Sequence, residues 1–361
     1  MDASLYFLRS DTTAGRRDAA KSALEKAQKL QANSPETLLA LGYYQYLVLR
    51  DYGLAKSTFA LVSKMLAGSS EVPEALGLIA RREGNWDESI AYLEQALALD
   101  PRNMEVLMPA GDTYTWLRQF PAALKFYDRG LDITPNDPDL IAVKASIYQA
   151  EGNLQEAAKL LAEVNVQTPS AFAFRIKITQ LILERNLGEA VRLLQARQTQ
   201  FHFTSEFDKG VNQLLLAWTQ RLAADTVGAQ ATAEQARYTL GQLYKNQPNN
   251  SNLAGLLSLA HAVLGDKNSA LKEIQGAIMR FPSAKDRVAG PSLEEGQALI
   301  QMTFGENSRA ISTLTRLLKT PYAGWVYSLT PITPALLRLD PLWDPLRADP
   351  AFQKLCEEKQ P

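Results

Sequence analysis

A repeated proline spacing constrains the fold of this chain more than any other feature of its sequence. Pro101, Pro135 and Pro169 follow one another at intervals of 34 residues, and the small and bulky residues around them recur in the same phase. A period of about 20 to 50 residues indicates a solenoid, in which similar supersecondary units stack and each unit contacts its neighbours. The sequence therefore predicts a repeat architecture for the 361-residue chain.

Three consecutive units agree in both length and residue type. They span residues 70–103, 104–137 and 138–171. Small residues recur in the first predicted helix of a unit, at Gly77 and Gly111, and in the second, at Ala123 and Ala157. Two antiparallel helices approach closely where one of them presents Gly or Ala, and bulky side chains fill the space on either side. The pattern predicts a series of antiparallel helix pairs.

This pattern resembles the tetratricopeptide repeat family, which has small residues at unit positions 8, 20 and 27 and a proline at position 32. In the family's phase, position 8 is taken by Gly42, Gly77 and Gly111, and position 20 by Ala20, Ala55, Ala123 and Ala157. The resemblance implies an all-α, right-handed superhelical solenoid of about nine antiparallel helix pairs, with a C-terminal helical cap.

The repeat is not uniform along the chain. Residues 35–69 contain one extra residue, between Gly42 and Ala55, and residues 201–248 predict one enlarged helix pair before the 34-residue step resumes at Pro282. We therefore predict regular repeats over 1–200, irregular repeats that continue the same solenoid over 201–320, and a capping segment over 321–361.

The C-terminus carries three Asp-Pro pairs, at Asp340-Pro341, Asp344-Pro345 and Asp349-Pro350. Each pair predicts a helix start, because the carboxylate caps the helix and the proline lacks an N–H that would go unpaired there. Apolar residues between the pairs predict a cap over the last helix pair.

The run from Leu337 to Arg347 also resembles the tail of bacterial signalling proteins, in which a kinase, cyclase or DNA-binding domain precedes a tetratricopeptide array. Because helical pattern begins almost at Met1, this resemblance implies an alternative in which the chain is the C-terminal sensing region of a larger signalling protein.

Composition limits the cellular compartments and the classes of partner that we expect for this chain. The formal net charge is −1, so we expect no nucleic-acid partner, and the single Cys356 excludes an internal disulfide and a zinc site of paired cysteines. Asp2 stands where a secretory leader would be basic, and the longest apolar runs fall short of the roughly 18 residues that cross a bilayer. We expect a cytoplasmic monomer without membrane insertion.

Catalytic chemistry has few candidate residues. The chain has two histidines, His202 and His261, and the second falls at a repeat position that a bulky core residue occupies. No glycine-rich phosphate loop is present, and the adjacent carboxylates Glu294-Glu295 point apart on a helix, where we expect them to be solvated. The sequence predicts no catalytic residue, no cofactor and no metal site.

The resemblance implies that the first helix of each pair lines a concave face, through unit positions 2, 5, 6, 9, 12 and 13. A mixture of aromatic, apolar and charged residues there is typical of recognition surfaces, so we predict binding of a peptide or helix from a partner protein. The predicted contact residues are Tyr43, Tyr46, Leu78, Arg81, Arg82, Met108, Asp112, Trp116 and Gln149.

Two further interpretations bear on this face. In the alternative interpretation, helix packing is the role of Tyr43, Tyr46 and Trp116, since an error of one residue in the phase moves a side chain to another face.

Some family members bind a C-terminal carboxylate through Lys and Asn, but Leu39, Tyr43 and Glu74 stand at those positions here. The sequence therefore predicts a different class of partner.

Overall fold

Paired helices follow one another through the chain. A computed structural model describes residues 13–324 and 330–358, and no β-strand occurs in these two ranges. The α-helices are α1 (Ala14–Gln31), α2 (Pro35–Tyr44), α3 (Tyr52–Met65), α4 (Glu71–Glu83), α5 (Trp86–Leu99), α6 (Met104–Trp116), α7 (Phe120–Ile133), α8 (Pro138–Glu151), α9 (Leu154–Leu160), α10 (Ala171–Leu183), α11 (Leu187–Gln200), α12 (Glu206–Leu222), α13 (Thr226–Asn246), α14 (Ser251–Val263), α15 (Lys267–Arg280), α16 (Gly290–Thr303), α17 (Asn307–Leu317), α18 (Pro334–Leu339) and α19 (Pro350–Glu357). The predicted all-α fold of helix pairs is confirmed.

The pairs match the predicted repeat units. From α2 to α17 the helices form eight successive pairs, α2 with α3 through α16 with α17, within the described ranges. The helix α1 is the second helix of the first predicted unit, whose first helix falls on residues 1–12, outside the described residues.

Cα–Cα proximity divides the chain into two units. Unit 1 is Met1–Thr113 with Asn246–Asn250, and unit 2 is Tyr114–Lys245 with Ser251–Pro361. The predicted division at residues 200 and 320 rests on the regularity of the repeat and stays a prediction.

The small residues act as the repeat pattern predicts. A Cβ added to Gly77 would lie 2.9 Å from Cγ of Leu93 and 3.1 Å from the carbonyl oxygen of Ser89, so α4 and α5 touch at this point. The Ser89 hydroxyl also donates a hydrogen bond of 2.8 Å to the Gly77 carbonyl. Ala123 and Ala157 are fully buried in their own pairs. The predicted phase of the repeat is confirmed.

The extra residue in the second unit has a structural counterpart. Between α2 and α3 the chain forms a π-helical turn, Gln45–Leu49, and Arg50 follows in the left-handed backbone region with φ of 55°. A π turn holds one more residue than an α turn, so it takes up an insertion without changing how the flanking helices pack.

The predicted enlarged pair between residues 201 and 248 is confirmed. Its helices α12 and α13 contain 17 and 21 residues, whereas the helices of the pair α4 and α5 contain 13 and 14.

Replacement of Gly77 by Leu tests the helix contact. Gly77→Leu forces α4 and α5 apart and should lower the free energy of unfolding by about 1–3 kcal/mol. Gly188→Leu is the matched control, because a Cβ at Gly188 meets no atom within 4 Å. Urea denaturation of both variants measures the difference, and equal midpoints would contradict the predicted contact.

Candidate functional site

The structure separates the nine predicted contact residues into two groups. Five are partly exposed, namely Tyr43, Leu78, Arg82, Met108 and Asp112. The other four are buried, namely Tyr46, Arg81, Trp116 and Gln149. Tyr46 is 1% exposed and Gln149 is 0% exposed, so the expectation that these four side chains present an accessible contact surface is wrong.

Three of the four buried residues join one first helix to the next. The Tyr46 hydroxyl donates to the carbonyl of Leu78 at 3.4 Å, and Arg81 Nη1 donates to the carbonyl of Pro109 at 3.2 Å. Gln149 Nε2 donates to the carbonyl of Ile176 at 3.1 Å. All three occupy unit position 12 of the repeat, which therefore points between neighbouring first helices.

In unit 1, successive first helices bring aromatic, apolar and acidic side chains together. Tyr43 on α2 donates its hydroxyl to the carbonyl of Glu71 on α4 at 3.4 Å, and its ring packs edge-on against Phe59 at 5.4 Å. Glu74 and Glu105 lie close enough to influence the ionisation of Tyr43. We call the surface of Tyr43, Glu71, Glu74, Leu78 and Glu105 the Tyr43 face.

The electrostatics of the Tyr43 face disfavour negative charge. Burial and, to a smaller extent, the neighbouring carboxylates of Glu105 and Glu71 raise the pKa of Glu74 to about 7, while Arg81 acts in the opposite direction. Burial and the same carboxylates hold the pKa of Tyr43 well above its usual value. The face is therefore neutral at Glu74 for much of the protein near neutral pH.

In unit 2, the C-terminal tail contacts the ends of first helices far away in sequence. Arg118, which follows α6, donates to the carbonyls of Leu317, Thr320 and Ile332 at 2.9, 3.0 and 3.1 Å. Thr333 donates its hydroxyl to the carbonyl of Ala150, near the end of α8, at 2.6 Å. The predicted cap is present in the described part of 321–361, and it reaches well beyond the last pair.

The middle Asp-Pro pair has a different role from the predicted helix start. Asp340 and Asp349 cap the 3₁₀ helix Pro341–Leu346 and α19, as predicted, by accepting from the N–H groups of Leu342 and Ala351. Asp344 instead lies inside the 3₁₀ helix and forms an ion pair with Arg185, whose Nη2 is 2.8 Å from Oδ1. The predicted helix start at Asp344 is wrong because a distant cation engages its carboxylate.

A second network holds the tail to α16. The Tyr322 hydroxyl donates to Glu295 Oε2 at 2.7 Å and accepts from the N–H of Ile332 at 3.0 Å. Burial raises the pKa of Glu295 to about 7, although the Tyr322 hydrogen bond opposes the shift. The expectation that Glu295 is solvated is therefore wrong, because this side chain is only partly exposed and accepts a hydrogen bond from Tyr322 in the tail.

A sequence signal for the tail contacts does exist. Gly84 and Gly152 end first helices with φ of 89° and 81°, a backbone region that suits glycine. Arg118 and Arg185 take the same left-handed conformation, with φ of 59° and 61°, after α6 and α10. An arginine at a position that favours glycine indicates a role for its side chain, and here both guanidinium groups hold the tail.

The remaining chemistry in the described residues is sparse. His202 is exposed between α11 and α12, and His261 places Nδ1 3.4 Å from Asp266. Within 13–324 and 330–358, no group of three or more His, Cys, Asp or Glu side chains is arranged to hold a metal ion. Nor does any helix of this part combine the length and apolarity that crossing a bilayer requires.

Replacement of Arg118 by Gly tests whether its side chain anchors the tail. Arg118→Gly relieves the left-handed backbone but deletes three hydrogen bonds, so we expect a net loss of about 3 kcal/mol and faster amide exchange over residues 332–339. Ala224→Gly is the control, since Ala224 has φ of 63° and is exposed. Hydrogen exchange measured by mass spectrometry that leaves 332–339 protected in Arg118→Gly would contradict the anchor.

The raised pKa of Glu295 predicts how stability depends on pH. The native state keeps a proton to about pH 7, whereas the unfolded chain releases it near 4.5, so this stabilisation is complete below pH 4.5 and is lost as the pH rises to 7. We expect a lower urea midpoint at pH 8 than at pH 5.5, and a smaller difference in Glu295→Gln. Glu94→Gln, an isosteric change at an exposed residue, should keep the full difference between the two urea midpoints. If Glu295→Gln also kept the full difference, the raised pKa of Glu295 would be refuted as its cause.

Comparisons with known proteins agree with this fold. The family model described as tetratricopeptide repeat matches residues 80–147. No curated protein matches the chain.

Solved structures of repeat proteins are similar in fold and distant in sequence. Yeast Tom70 has a TM-score of 0.55 at 13% identity, and the match covers 81% of this chain and 60% of that chain. A tetratricopeptide repeat protein from Parabacteroides merdae has a TM-score of 0.36 at 15% identity, and the match covers 78% of this chain and 91% of that chain. The human IFIT1 dimer with PPP-AAAA has a TM-score of 0.48 at 16% identity, and the match covers 87% of this chain and 74% of that chain.

The family match and the similarity to Tom70 point to the same architecture as the helix pairs and their packing glycines. This chain has the tetratricopeptide repeat fold, and the model of the tetratricopeptide repeat family matches its residues 80–147.

Proposed function

We propose that this protein is a non-enzymatic scaffold that binds a segment of a partner protein on the Tyr43 face of unit 1. The supporting observation is that α2 and α4 place Tyr43 and Leu78 in partly exposed positions against one core cluster, with three carboxylates close to Tyr43. Aromatic and apolar anchors with a polar rim are typical of protein recognition surfaces. Of the four buried residues, Tyr46 and Arg81 link the segments that carry this face, by hydrogen bonds to the carbonyls of Leu78 and Pro109.

The tail of unit 2 supports the same kind of function. Arg118 donates to the carbonyls of Leu317 and Thr320 at the end of α17 and of Ile332 in the tail, and Thr333 adds a hydrogen bond from the tail to α8. Hydrogen bonds to backbone groups bind a peptide with little dependence on its sequence, and side-chain pockets then add specificity. The repeats of this chain therefore hold part of its own tail by hydrogen bonds to backbone carbonyls.

Nucleic acid is a poor candidate for the Tyr43 face. The face carries the exposed carboxylates of Glu71 and Glu105, which would repel phosphate groups. A polypeptide can instead present neutral or basic groups. We therefore favour a protein partner.

The alternative, a sensing region of a bacterial signalling protein, rests on the Asp-Pro tail and stays a prediction. Asp340, Asp344 and Asp349 have structural roles in unit 2, which account for the tail without an effector domain. The genomic reading frame upstream of Met1 decides between the two, because a stop codon directly before Met1 argues against a preceding effector domain.

Selection from a phage library of random 12-residue peptides tests the scaffold function. The full chain should enrich peptides that bind as synthetic fluorescent copies in solution, and Tyr43→Ala with Leu78→Ala should weaken their binding at least about tenfold, since both anchors are lost. Tyr238→Ala, an exposed tyrosine on α13, is the control. Circular dichroism verifies that the variants are folded; no enrichment, or equal binding by the double variant, would refute the proposed function.

A further inference from the structure

We propose that unit 2 contains a binding site for a small organic acid, in a cavity to which the C-terminal tail contributes one wall. The ligand has an apolar body, one carboxylate, and a hydroxyl or amide N–H group. The site involves none of the residues of the Tyr43 face, so this inference goes beyond the scaffold function proposed above.

The cavity lies among helix ends and has a volume of about 510 Å³. Its apolar wall includes Leu222 at the end of α12, Met302 near the end of α16, and Leu342 in the 3₁₀ helix of the tail. Mainly apolar cavities of about 300–1,000 Å³ with a few polar groups are typical of small-molecule sites. The size and the wall of this cavity therefore suit a small molecule with an apolar body.

Two residues that line the cavity contain buried polar atoms without a partner. Trp218 on α12 is 2% exposed, and its indole Nε1 forms no hydrogen bond within the described ranges. Oδ1 of Asn307, at the start of α17, is also buried and has no hydrogen-bond partner among the same residues. A buried donor or acceptor that forms no hydrogen bond is costly. A ligand with an acceptor for Trp218 and a donor for Asn307 would remove both costs.

The charged residues that line the cavity leave one positive charge uncompensated. Arg185 is paired with Asp344, and Arg347 also pairs with that carboxylate. Arg221, in contrast, belongs to no ion pair in the part of the chain that the structure describes, and its side chain is exposed. The guanidinium carbon of Arg221 lies 5.8 Å from the centroid of the Trp218 ring. An anionic ligand is therefore favoured over a neutral or a basic one.

A single carboxylate can bind both Arg221 and Trp218. The two residues are three apart on α12, so their side chains are neighbours on the helix surface. One carboxylate oxygen accepts the indole N–H while the other pairs with the guanidinium, which makes both hydrogen bonds charge-assisted. The apolar body then contacts Leu222 and Leu342, and the hydroxyl or amide N–H of the ligand donates to Asn307.

Three related compounds test this chemistry by isothermal titration calorimetry. Phenyllactate has the aromatic ring, the carboxylate and a hydroxyl, whereas phenyllactamide lacks the charge and phenylpropionate lacks the hydroxyl. We expect phenyllactate to bind at millimolar concentration or below, and phenyllactamide to bind at least about tenfold more weakly. Phenylpropionate should bind about threefold more weakly than phenyllactate, because the hydrogen bond to Asn307 is lost.

The indole N–H signal of Trp218 reports on the site itself. The chain contains five tryptophans, and the signal that disappears from the proton–nitrogen correlation spectrum of Trp218→Phe is assigned to Trp218. Phenyllactate should move this proton downfield until the site is saturated, because the N–H then donates to a carboxylate.

Replacement of Arg221 by Gln tests the role of the cation. Arg221 is exposed, so the variant should remain folded, which circular dichroism verifies. Arg221→Gln should weaken phenyllactate at least about tenfold and remove its advantage over phenyllactamide. Arg287→Gln is the control, since Arg287 is an exposed arginine between α15 and α16 that does not line the cavity.

The outcomes separate this site from the scaffold function. If millimolar phenyllactate causes no saturable shift of the Trp218 signal, or if phenyllactate and phenyllactamide bind equally, the organic-acid site is refuted. Equal binding by Arg221→Gln and the unmodified protein would refute it as well. None of these results bears on the Tyr43 face, which the peptide selection tests by itself.

Discussion

Close contact between the two helices of each pair is the interaction on which the rest of the structure depends. At Gly77 the backbone of α4 approaches Leu93 and Ser89 so closely that a Cβ would not fit, and fully buried alanines play this part in later pairs. Because each pair is compact at this point, the first helices can lie side by side. Position 12 side chains such as Tyr46 and Gln149 then bridge them. A recognition surface can form on the first helices because this packing holds them side by side.

Two departures from the repeat keep this contact intact. The extra residue of the second unit is taken up by the π turn Gln45–Leu49, outside the contact at Gly42. Arg118 and Arg185 accept a left-handed backbone where other pairs use glycine. Such strain costs on the order of 1 kcal/mol, and the hydrogen bonds and ion pair to the tail offset it.

The Tyr43 face and the tail of unit 2 use ionisable groups in different ways. Glu295 is partly exposed and accepts a hydrogen bond from the Tyr322 hydroxyl, which makes it a structural element. Glu74 lies on the Tyr43 face, where the carboxylates of Glu105 and Glu71 and the guanidinium of Arg81 act on its ionisation. The pKa of each carboxyl group is raised to about 7 by burial, so the difference between them lies in geometry.

The sequence by itself determined the helix pairs, their phase and the enlarged pair, because these follow from local spacing of small and bulky residues. It placed Tyr43 and Leu78 on an accessible face but also assigned Tyr46 and Gln149 to it, since a single repeat cannot reveal which side chains its neighbour covers. The docking of the tail on Arg118 and Arg185, the hydrogen bond between Tyr322 and Glu295 and the burial of Tyr46 and Gln149 were decided by the tertiary structure. These features join residues far apart in the chain or depend on solvent access, and no periodic pattern encodes either.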